Sequence, residues 1–428
     1  MAGNLLKDEK TTPRKVTVVG GGLVGSLCAI FLAKRGFHVD LYEARQDPRL
    51  VEFVGGRSTN LGLSTRGIEA LKVAGALESI LPLGVAVYGR KIHPTTGDIS
   101  TLYFEHGENI PMMAMQRRKV NEKLLSAAET YPNVHLHFKH KLVSTNLETG
   151  HLVLSCPDGK TVDVDAQLVI GADGAHSTVR SEMMKRPRFD FSQEYISHGY
   201  KELQLLPNKN GEYAFVEDYL HIWPRDGFML IAIPNKDPSF TCTLFMPYEN
   251  FETLETKEDF LSFFNAVFPD FVQLMGEERI LEDFFKNPVW HTVSVKCKPY
   301  HFSDKVLIIG DAAHAMVPFF GQGMNSSDLP GGRFNLMLHF LLYFQLRSLV
   351  NSFWFLLERK AMYALNRLMP KTFIPLHTMV TYTHIPFHEV VERNQWQEKM
   401  VRVLLLMGSL TGLAGLMVIL KTWRFRIS

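Results

Sequence analysis

Cysteine is scarce in this sequence, with four residues among 428. Cys28, Cys156, Cys242 and Cys297 are widely scattered and form no C-x-x-C pair. This pattern argues against a disulfide framework and against a zinc site, so no bound metal is expected. It also fits a reducing compartment.

A strong net charge and an N-terminal targeting segment are lacking as well. The formal charge is +2 at pH 7, which leaves no electrostatic footprint for nucleic acid. Residues 1–14 form a polar N-terminal extension without an apolar run, so they are neither a secretory signal nor a convincing transit peptide. Synthesis in the cytosol is therefore expected, and the length allows about two or three domains.

Residues 15–45 predict the first strand, turn, helix and second strand of a dinucleotide-binding unit. A short apolar run ends at Gly20, which begins a G-x-G-x-x-G turn completed by Gly22 and Gly25. Glycine at these positions allows a tight bend and the close approach of a pyrophosphate to the helix N-terminus. Glu43 ends the second strand, where its carboxylate is placed to accept ribose hydroxyls. A glycine-rich turn alone also serves packing, but the full spacing favours dinucleotide binding.

A second stretch with a related pattern lies at residues 167–180. An apolar strand leads into Asp173 and Gly174, which form a turn that caps the next helix. Ser177 and Arg180 lie one helical turn apart, where they are placed to brace the loop over a cofactor. An ordinary N-capped helix is the alternative interpretation.

A third stretch lies at residues 305–325, where a buried strand ends at Gly310 and Asp311. Asp311 is placed to hydrogen-bond a ribitol-type hydroxyl. The glycine-rich backbone at 321–325 allows an isoalloxazine ring to approach closely, because little side chain intervenes. His314, taken alone, is more often a structural histidine than a catalytic one.

These three motifs, in this order, resemble the single-component FAD aromatic hydroxylases, and the resemblance runs from residue 16 to residue 325. Several stretches are most similar to the family members that hydroxylate L-kynurenine. These stretches are 20–27, 42–45, 56–58, 60–61, 188–190, 198–200, 219–225, 240–247 and 317–325. So many specific matches make chance similarity implausible.

The motifs and the resemblance together imply an FAD site built from all three stretches and from segments between them. The predicted cofactor-binding residues are Gly20, Gly22, Val24, Gly25, Tyr42, Glu43, Ala44, Arg45, Gly62, Arg117, Leu142, Asp173, Thr178, Asp311, Gly323, Met324 and Asn325.

The resemblance also puts the substrate carboxylate against Arg90, where a bidentate guanidinium clamp suits a free amino acid. On the residues alone, a solvated surface arginine is the favoured interpretation of Arg90. The family's nearby substrate tyrosine falls at Tyr103 or Phe104, because one inserted residue leaves the register open. Tyr103 is the residue that we predict.

The resemblance implies FAD as the cofactor and NADPH and O₂ as co-substrates. The implied reaction is hydroxylation of L-kynurenine to 3-hydroxy-L-kynurenine through a flavin C4a-hydroperoxide, within tryptophan catabolism and NAD biosynthesis. The amino group of the substrate already activates its ring, so no dedicated catalytic base is predicted. No second glycine motif for a nicotinamide cofactor is visible, so NADPH docking is implied by the resemblance alone.

Alternating strand patterns at 85–104 and 195–246 indicate a second, sheet-based layer. We therefore predict an α/β fold in which a Rossmann-type FAD-binding domain is interleaved with a β-sheet substrate domain, followed by a C-terminal helical region and a transmembrane helix. The predicted boundaries are 1–14 for the N-terminal extension, 15–84, 105–185 and 300–330 for the FAD-binding domain, 85–104 and 186–299 for the substrate domain, 331–402 for the helical region and 403–420 for the transmembrane helix.

The resemblance is interrupted after Asn325. The family continues with a helix that covers the flavin, whereas a proline and two glycines at 330–332 make such a helix costly to start here. Leu342 and His377 stand where the family has a substrate-binding asparagine and a substrate-binding tyrosine. Two alternatives to a coupled hydroxylase therefore stay open. One is a membrane-anchored flavin-binding variant with uncoupled or no hydroxylation, and the other is a related aromatic hydroxylase with another substrate.

Residues 403–420 are uncharged and are bounded by Arg402 and Lys421. This is the shortest length that comfortably spans a bilayer, so a membrane anchor is predicted, with a buried core helix as the alternative. Gly408 and Gly412 form a weak G-x-x-x-G motif that allows a weak homodimer. The resemblance implies the mitochondrial outer membrane, and an anchor so near the C-terminus leaves the catalytic part facing the cytosol.

Overall fold

The computed structural model describes residues 15–52, 60–96, 98–104, 111–318, 323, 325, 353–383, 385 and 389–405. The chain divides into two compact units, Met1–Pro330 and Gly331–Ser428. Each unit is described by itself.

The described part of the first unit contains nineteen β-strands. They are β1 (Lys15–Val19), β2 (His38–Glu43), β3 (Asn60–Leu63), β4 (Val85–Val87), β5 (Gly89–Ile92), β6 (Ser100–Tyr103), β7 (Met112–Gln116), β8 (Val134–Phe138), β9 (Lys141–Asn146), β10 (His151–Ser155), β11 (Thr161–Asp165), β12 (Leu168–Gly171), β13 (Asp190–Leu205), β14 (Tyr219–Arg225), β15 (Phe228–Pro234), β16 (Phe240–Pro247), β17 (Trp290–Lys298), β18 (His301–Phe302) and β19 (Val306–Ile308).

Helices of the first unit cover these strands. They are α1 (Leu23–Ala33), α2 (Thr65–Ala74), α3 (Leu77–Ile80), α4 (Arg117–Glu129), α5 (Thr178–Met184), α6 (Tyr248–Glu252), α7 (Lys257–Val267), α8 (Pro269–Met275), α9 (Glu277–Lys286) and α10 (Asp311–His314). Short 3₁₀ turns occur at Pro48–Leu50 and Leu81–Leu83.

A six-stranded sheet of order β18-β19-β12-β1-β2-β8 forms the nucleotide half of this unit. Its neighbouring strands are parallel except for the β18–β19 pair. Val16 to Val19 in β1 are all buried, as expected of a central parallel strand covered on both faces. Leu27 and Ile30 of α1 and Leu124 of α4 pack into the same core. The predicted opening βαβ unit is confirmed, because β1, α1 and β2 follow one another in this sheet.

A seven-stranded sheet of order β17-β13-β16-β15-β14-β5-β6 forms the other half. Strands β5 and β6 come from residues 89–103, so the chain enters this sheet early and returns to it only at residue 190. Helices α6 to α9 supply the apolar side chains that bury one face of the sheet, including Phe260, Phe264, Phe268 and Phe271.

Two small sheets complete the first unit. Their strand orders are β11-β10-β9 and β3-β7-β4. Strand β4 pairs with β7, in register from Val85 opposite Ala114 to Val87 opposite Met112. Within the predicted substrate segment 85–104, β4 therefore belongs to a small sheet, and β5 and β6 belong to the seven-stranded sheet.

The second unit is helical in its described part. Helix α11 spans Phe353–Leu368, α12 spans Leu376–Tyr382, and α13 occupies residues 389–405. Gln397 of α13 is fully buried, and its side chain accepts a hydrogen bond from the Ile374 amide and donates one to the Ile374 carbonyl. This bidentate bond fixes α13 against the segment that precedes α12.

The predicted transmembrane helix at 403–420, and with it the predicted membrane anchor, is wrong. Among the described residues, no helix combines the length and the apolar character needed to cross a bilayer. Residues 403–405 extend α13, which carries charged side chains such as Glu398, Lys399 and Arg402. An uncharged run of 18 residues lies at the lower limit for spanning, so the sequence argument had little margin. Residues 406–420, including the G-x-x-x-G motif, lie outside the described residues.

Candidate active site

The glycine turn has the close backbone approach that its sequence predicts. Gly20 adopts a φ of +107°, and a Cβ atom on it would lie 2.3 Å from the Ala172 carbonyl oxygen. A Cβ on Gly25 would lie 1.9 Å from the Gly20 carbonyl oxygen. Any larger residue at either position would therefore push β1, α1 and the end of β12 apart.

Gly22 differs from these packing glycines, because a Cβ atom placed on it would meet nothing within 4 Å. It is the N-cap of α1, and no side chain caps this helix end by a hydrogen bond. The first-turn amides, including that of Val24, therefore begin an 11-residue helix beside open space. This arrangement suits the pyrophosphate of a dinucleotide.

Glu43 lies directly beside the turn at the end of β2. Its carboxylate accepts hydrogen bonds from the amides of Gly21 at 2.8 Å and Arg45 at 2.9 Å. A carboxylate has about four lone-pair positions, so two bonds leave capacity for ribose hydroxyls. Ala44 and Arg45 are exposed next to it.

Two predicted cofactor residues, Tyr42 and Leu142, are buried and pack in one hydrophobic cluster. The Tyr42 ring stacks on His137 with ring centroids 4.5 Å apart. Burial raises the pKa of Tyr42 to about 12, so its hydroxyl stays protonated. These side chains serve the core, and a contact with a cofactor would involve the neighbouring backbone.

The second motif forms a tight hydrogen-bonded turn around Asp173. Its carboxylate accepts from the Ser177 hydroxyl at 2.5 Å and from the Thr178 amide at 2.7 Å. Ser177 in turn accepts from the Arg180 amide at 2.9 Å, as an N-cap of α5. Burial raises the pKa of Asp173, against the opposing effect of these hydrogen bonds.

Arg180 links this second motif to the third. Its guanidinium donates to the carbonyl oxygens of Ala175 at 2.5 Å and Ala312 at 2.8 Å. Arg180 is buried and holds α10 against the turn before α5, and the bracing of this loop over a cofactor stays a prediction.

The third motif begins where β19 ends. The Ile309 amide donates to the Gly171 carbonyl at 2.9 Å, and Gly310 has a φ of +61°. A Cβ atom on Gly310 would lie 3.1 Å from the Val24 side chain. Asp311 is in the first turn of α10, so it lies at the edge where the other two motifs end. His314 of the same helix is half-buried and contacts the Tyr300 ring, which fits a structural role.

Asn325 joins the last predicted stretch to the β3–α2 segment. Its side chain is fully buried, accepts from the Ser64 amide at 2.9 Å and donates to the Gly62 carbonyl at 2.8 Å. Two predicted cofactor positions 263 residues apart, Gly62 and Asn325, are thus in direct contact. Gly323 has open space around its α-carbon. Met324 lies outside the described residues.

Arg117 is exposed at the start of α4 and lies near Tyr200 of β13. Burial and the charge of Glu202 raise the pKa of Tyr200 to about 12, and the charge of Arg117 opposes them. Arg117 is therefore placed between the nucleotide half and the seven-stranded sheet.

The predicted substrate arginine, Arg90, lies in β5. It is opposite Leu102 in β6 and Leu220 in β14, so these three side chains share one face of the sheet. Its guanidinium carbon lies 5.1 Å from the centre of the Phe104 ring. Arg90 is partly buried and stacked on an aromatic ring, unlike a freely solvated surface arginine.

Tyr103 is placed differently from Phe104. It pairs with Gly89, contacts the Tyr219 ring with centroids 6.1 Å apart, and is 65% exposed on the opposite face. The aromatic side chain beside Arg90 is therefore Phe104. Because side chains alternate between the two faces of a strand, only one of these two aromatic residues can share a face with Arg90. The resemblance alone left the choice open by one residue.

The sequence did not single out several residues that share a sheet face with Arg90. The strand registers place Leu220, Ile222, Ile231, Thr243, Phe245, Glu202 and Tyr200 on it. The Tyr200 and Phe245 rings lie 5.8 Å apart. Strand alternation within 219–225 and 240–247 is the signal that predicts these positions once the face of one residue is known.

The altered segment 326–349 and Leu342 lie outside the described residues. His377 belongs to α12 of the second unit.

Comparisons with known proteins agree with this geometry. A family model described as an FAD binding domain matches residues 14–328. The kynurenine 3-monooxygenase of Sus scrofa is 45% identical, with 93% of this chain and 90% of that protein covered. The kynurenine 3-monooxygenase of Anopheles gambiae is 42% identical, with 94% and 89% covered.

Two solved structures show the same fold. 2-Methyl-3-hydroxypyridine-5-carboxylic acid oxygenase superposes with a TM-score of 0.59 at 24% identity, covering 74% of this chain and 80% of that chain. Aklavinone-11 hydroxylase, in a ternary complex with FAD and aklavinone, gives a TM-score of 0.54 at 20% identity and covers 76% and 61%.

Proposed function

The chain belongs to the family of the kynurenine 3-monooxygenases, which are FAD-dependent aromatic hydroxylases, and we propose that it hydroxylates L-kynurenine to 3-hydroxy-L-kynurenine with NADPH and O₂. The single observation that carries the substrate assignment is the position of Arg90. It lies on the sheet face whose side chains connect by packing to the flavin motifs.

This connection can be followed from residue to residue. Arg90 stacks on Phe104, and Phe104 packs in a cluster with Met112. A Cβ atom on Gly62 would lie 2.5 Å from the Met112 sulfur, and the Gly62 carbonyl accepts the hydrogen bond from Asn325. An amino acid held at Arg90 by its carboxylate would thus extend its aromatic ring along a wall that ends at the flavin-binding segment.

The described residues fit FAD. The uncapped N-terminus of α1 at Gly22 would hold the pyrophosphate, Glu43 the adenosine ribose, and Asp311 the ribitol chain. FAD, when bound, would accept reducing equivalents from NADPH and would activate O₂ in its reduced form. The amino group of the substrate already activates its aromatic ring, so no protein base is needed. The remaining tasks of the protein residues are to orient the ring and to exclude water.

The test is kynurenine-stimulated NADPH oxidation by the purified protein, with the product identified by mass. Arg90→Lys should raise the KM for kynurenine strongly at unchanged FAD content, because a point charge cannot reproduce the bidentate guanidinium contact. Lys91→Arg is a matched control, since the neighbouring Lys91 points to the other face of β5, against Thr101 and Tyr219. Stimulation by another aromatic acid but not by kynurenine would replace the proposed substrate.

Whether NADPH oxidation is coupled to hydroxylation is a separate question, and our prediction for it is made from the sequence. The helix-breaking residues at 330–332 and the replaced family residues at 342 and 377 favour uncoupled turnover that releases hydrogen peroxide. Replacing 326–349 by the family's own segment should then raise the yield of product per NADPH. A yield near one from the unmodified chain would contradict uncoupling.

The cellular location is a further proposal that derives from the resemblance. We place the protein at the mitochondrial outer membrane with its catalytic part facing the cytosol. Protease added to intact mitochondria should digest the first unit, and its protection would contradict this location.

A further inference from the structure

Two asparagine side chains join the flavin-binding segment to the seven-stranded sheet. Asn60 begins β3, two residues before Gly62, and its side-chain nitrogen Nδ2 donates to the Asn235 Oδ1 oxygen at 2.7 Å. Asn235 directly follows β15 and is 3% exposed. The two residues are 175 positions apart, so this bond fixes β3 against the turn between β15 and β16.

Strand alternation shows which way Asn60 faces. Leu61 packs in the nucleotide core, so Asn60 and Gly62, its neighbours on either side, lie on the other face of β3. Ala114, the partner of Gly62 in β7, packs in one cluster with Leu220, which lies on the Arg90 face of the seven-stranded sheet. The face of β3 that carries Asn60 is therefore turned toward the Arg90 face.

The hydrogen bonds beyond Asn235 fix the orientation of both carboxamides. The Ser239 hydroxyl donates its only proton to the exposed Asp237 carboxylate at 2.6 Å, so it can only accept from Asn235. The Asn235 Nδ2 group donates to Ser239 Oγ at 3.0 Å and to Thr241 Oγ1 at 3.1 Å. The Asn235 oxygen must then face Asn60, and Asn60 must present its own Nδ2 group to that oxygen.

This orientation leaves the Asn60 oxygen unused. Its Oδ1 atom is buried, and no residue in the described part of the chain donates a hydrogen bond to it. Burial of an amide oxygen without a donor is unfavourable, so a ligand that brings an N–H group to this oxygen gains a strong preference for the site. Because the carboxamide is held against the seven-stranded sheet and not against the nucleotide core, the substrate is favoured over the flavin as the donor.

L-Kynurenine carries two nitrogen donors, and the sheet geometry separates them. Asn235 lies two strands from Arg90 and two residues further along, which places their α-carbons about 12 Å apart. The α-ammonium group is bonded to the same carbon as the carboxylate, so it stays close to Arg90. The amino group on the aromatic ring lies at the far end of the molecule, and it is the donor that extends toward Asn60.

This contact would also orient the ring for the proposed reaction. The carbon that becomes hydroxylated is next to the carbon that carries the ring amino group. Gly62, a predicted cofactor position, lies on the same face of β3 as Asn60. An amino group bound at Asn60 would therefore turn the neighbouring ring carbon toward the flavin-binding segment, whereas a flipped ring would turn that carbon away.

We propose that the Asn60 side-chain oxygen accepts a hydrogen bond from the ring amino group of the substrate and thereby selects aromatic ketones with an ortho-amino group. This inference rests on the proposed function. A carboxylate clamp at Arg90 accepts any amino acid of suitable length, and Asn60 distinguishes among them by the groups on their rings.

The proposal is tested by the binding of two ligands to the FAD-loaded protein without NADPH. Isothermal titration calorimetry compares L-kynurenine with 2-amino-4-oxo-4-phenylbutanoic acid, the analogue that lacks the ring amino group. The wild-type protein should bind L-kynurenine about ten- to a hundredfold more tightly, since the analogue leaves the buried oxygen unpaired. Equal affinities would overturn the proposal and leave the flavin N–H as the donor to this oxygen. Failure of L-kynurenine to bind at all would instead contradict the proposed function, and this inference with it.

Asn60→Leu keeps the approximate shape of the side chain and removes its oxygen. The affinity of this variant for L-kynurenine should fall about ten- to a hundredfold, while its affinity for the analogue should stay within about threefold of the wild-type value. If Asn60 served only to hold Asn235, both ligands would lose affinity equally, and that result would overturn the proposal. Asn146→Ala is the control and should bind both ligands as the wild type does, because the Asn146 side chain accepts from the amides of its own exposed turn.

Should Asn60→Leu fail to fold, Asn60→Ala replaces it, because a smaller side chain places no apolar group against Asn235. FAD content and thermal unfolding identify the folded variant. The difference in affinity between the two ligands should disappear in that variant, and a difference that persists would overturn the proposal.

Discussion

At the scale of single residues, Glu43 shows how one carboxylate links the glycine turn to the second strand. Glu43→Ala should weaken FAD binding by about 1–3 kcal/mol, because ribose hydroxyls lose their acceptor and the Gly21 amide loses its partner. Flavin content per protein, measured by absorbance after dialysis, gives the result. Glu148→Ala, at the exposed β9–β10 turn, should retain wild-type content. Full retention in Glu43→Ala would move the ribose contact elsewhere.

The position of Phe104 also makes a residue-scale prediction. Phe104→Ala should raise the KM for kynurenine about three- to thirtyfold, because Arg90 loses the ring on which it stacks. Tyr103→Ala is the matched control and should leave KM nearly unchanged, since that side chain is exposed on the other face. The opposite ranking in steady-state kinetics would restore Tyr103 as the substrate aromatic.

His221 predicts an acid-sensitive step in stability. The unfolded chain takes up this proton near pH 6.5, whereas burial delays it in the folded chain to about pH 4. The free energy of unfolding should therefore fall by about 3 kcal/mol as pH decreases through this window. Urea unfolding of His221→Gln should show a shallower fall, whereas His301→Gln, exposed in β18, should keep the wild-type slope. Equal slopes for both variants would contradict the assignment.

At the scale of elements, Arg180 holds two of the three nucleotide motifs together. Arg180→Met should lower the free energy of unfolding by about 2–5 kcal/mol, because the carbonyls of Ala175 and Ala312 are left without this buried donor. FAD affinity should fall as well, since α10 carries Asp311. The control is Arg186→Met, whose guanidinium pairs with the exposed Glu148. Urea unfolding and flavin titration measure both effects, and wild-type values for Arg180→Met would refute the link.

At the scale of the whole molecule, FAD should stabilise the fold without a covalent bond. Cys28 lies within α1, and burial raises the pKa of its thiol to about 12, so it is a poor nucleophile. FAD at a hundredfold its Kd should add about 2.7 kcal/mol to the free energy of unfolding. Thermal unfolding at increasing FAD concentration tests this, and the yellow colour should leave the chain on denaturation. Colour that remains with the denatured chain would contradict non-covalent binding.

The sequence by itself determined the local parts of this protein. Short-range rules were enough for β1, the glycine turn, α1 and Glu43, because a tight bend and helix start depend on neighbouring residues. The turns at Asp173 and at Gly310 followed from similar short patterns. Arg90 was found through resemblance, since an arginine in an alternating strand has no local signature of substrate binding.

Only the tertiary structure decided which distant residues meet. Strand register placed Phe104 beside Arg90 and put Tyr103 on the other face, because a shift of one residue reverses every side chain. The bond between the Asn60 and Asn235 carboxamides joins β3 to the end of β15, and no pattern within either segment predicts it. The membrane prediction also failed. The uncharged run of 18 residues lies at the lower limit for spanning a bilayer, and among the described residues no helix is long and apolar enough to cross one.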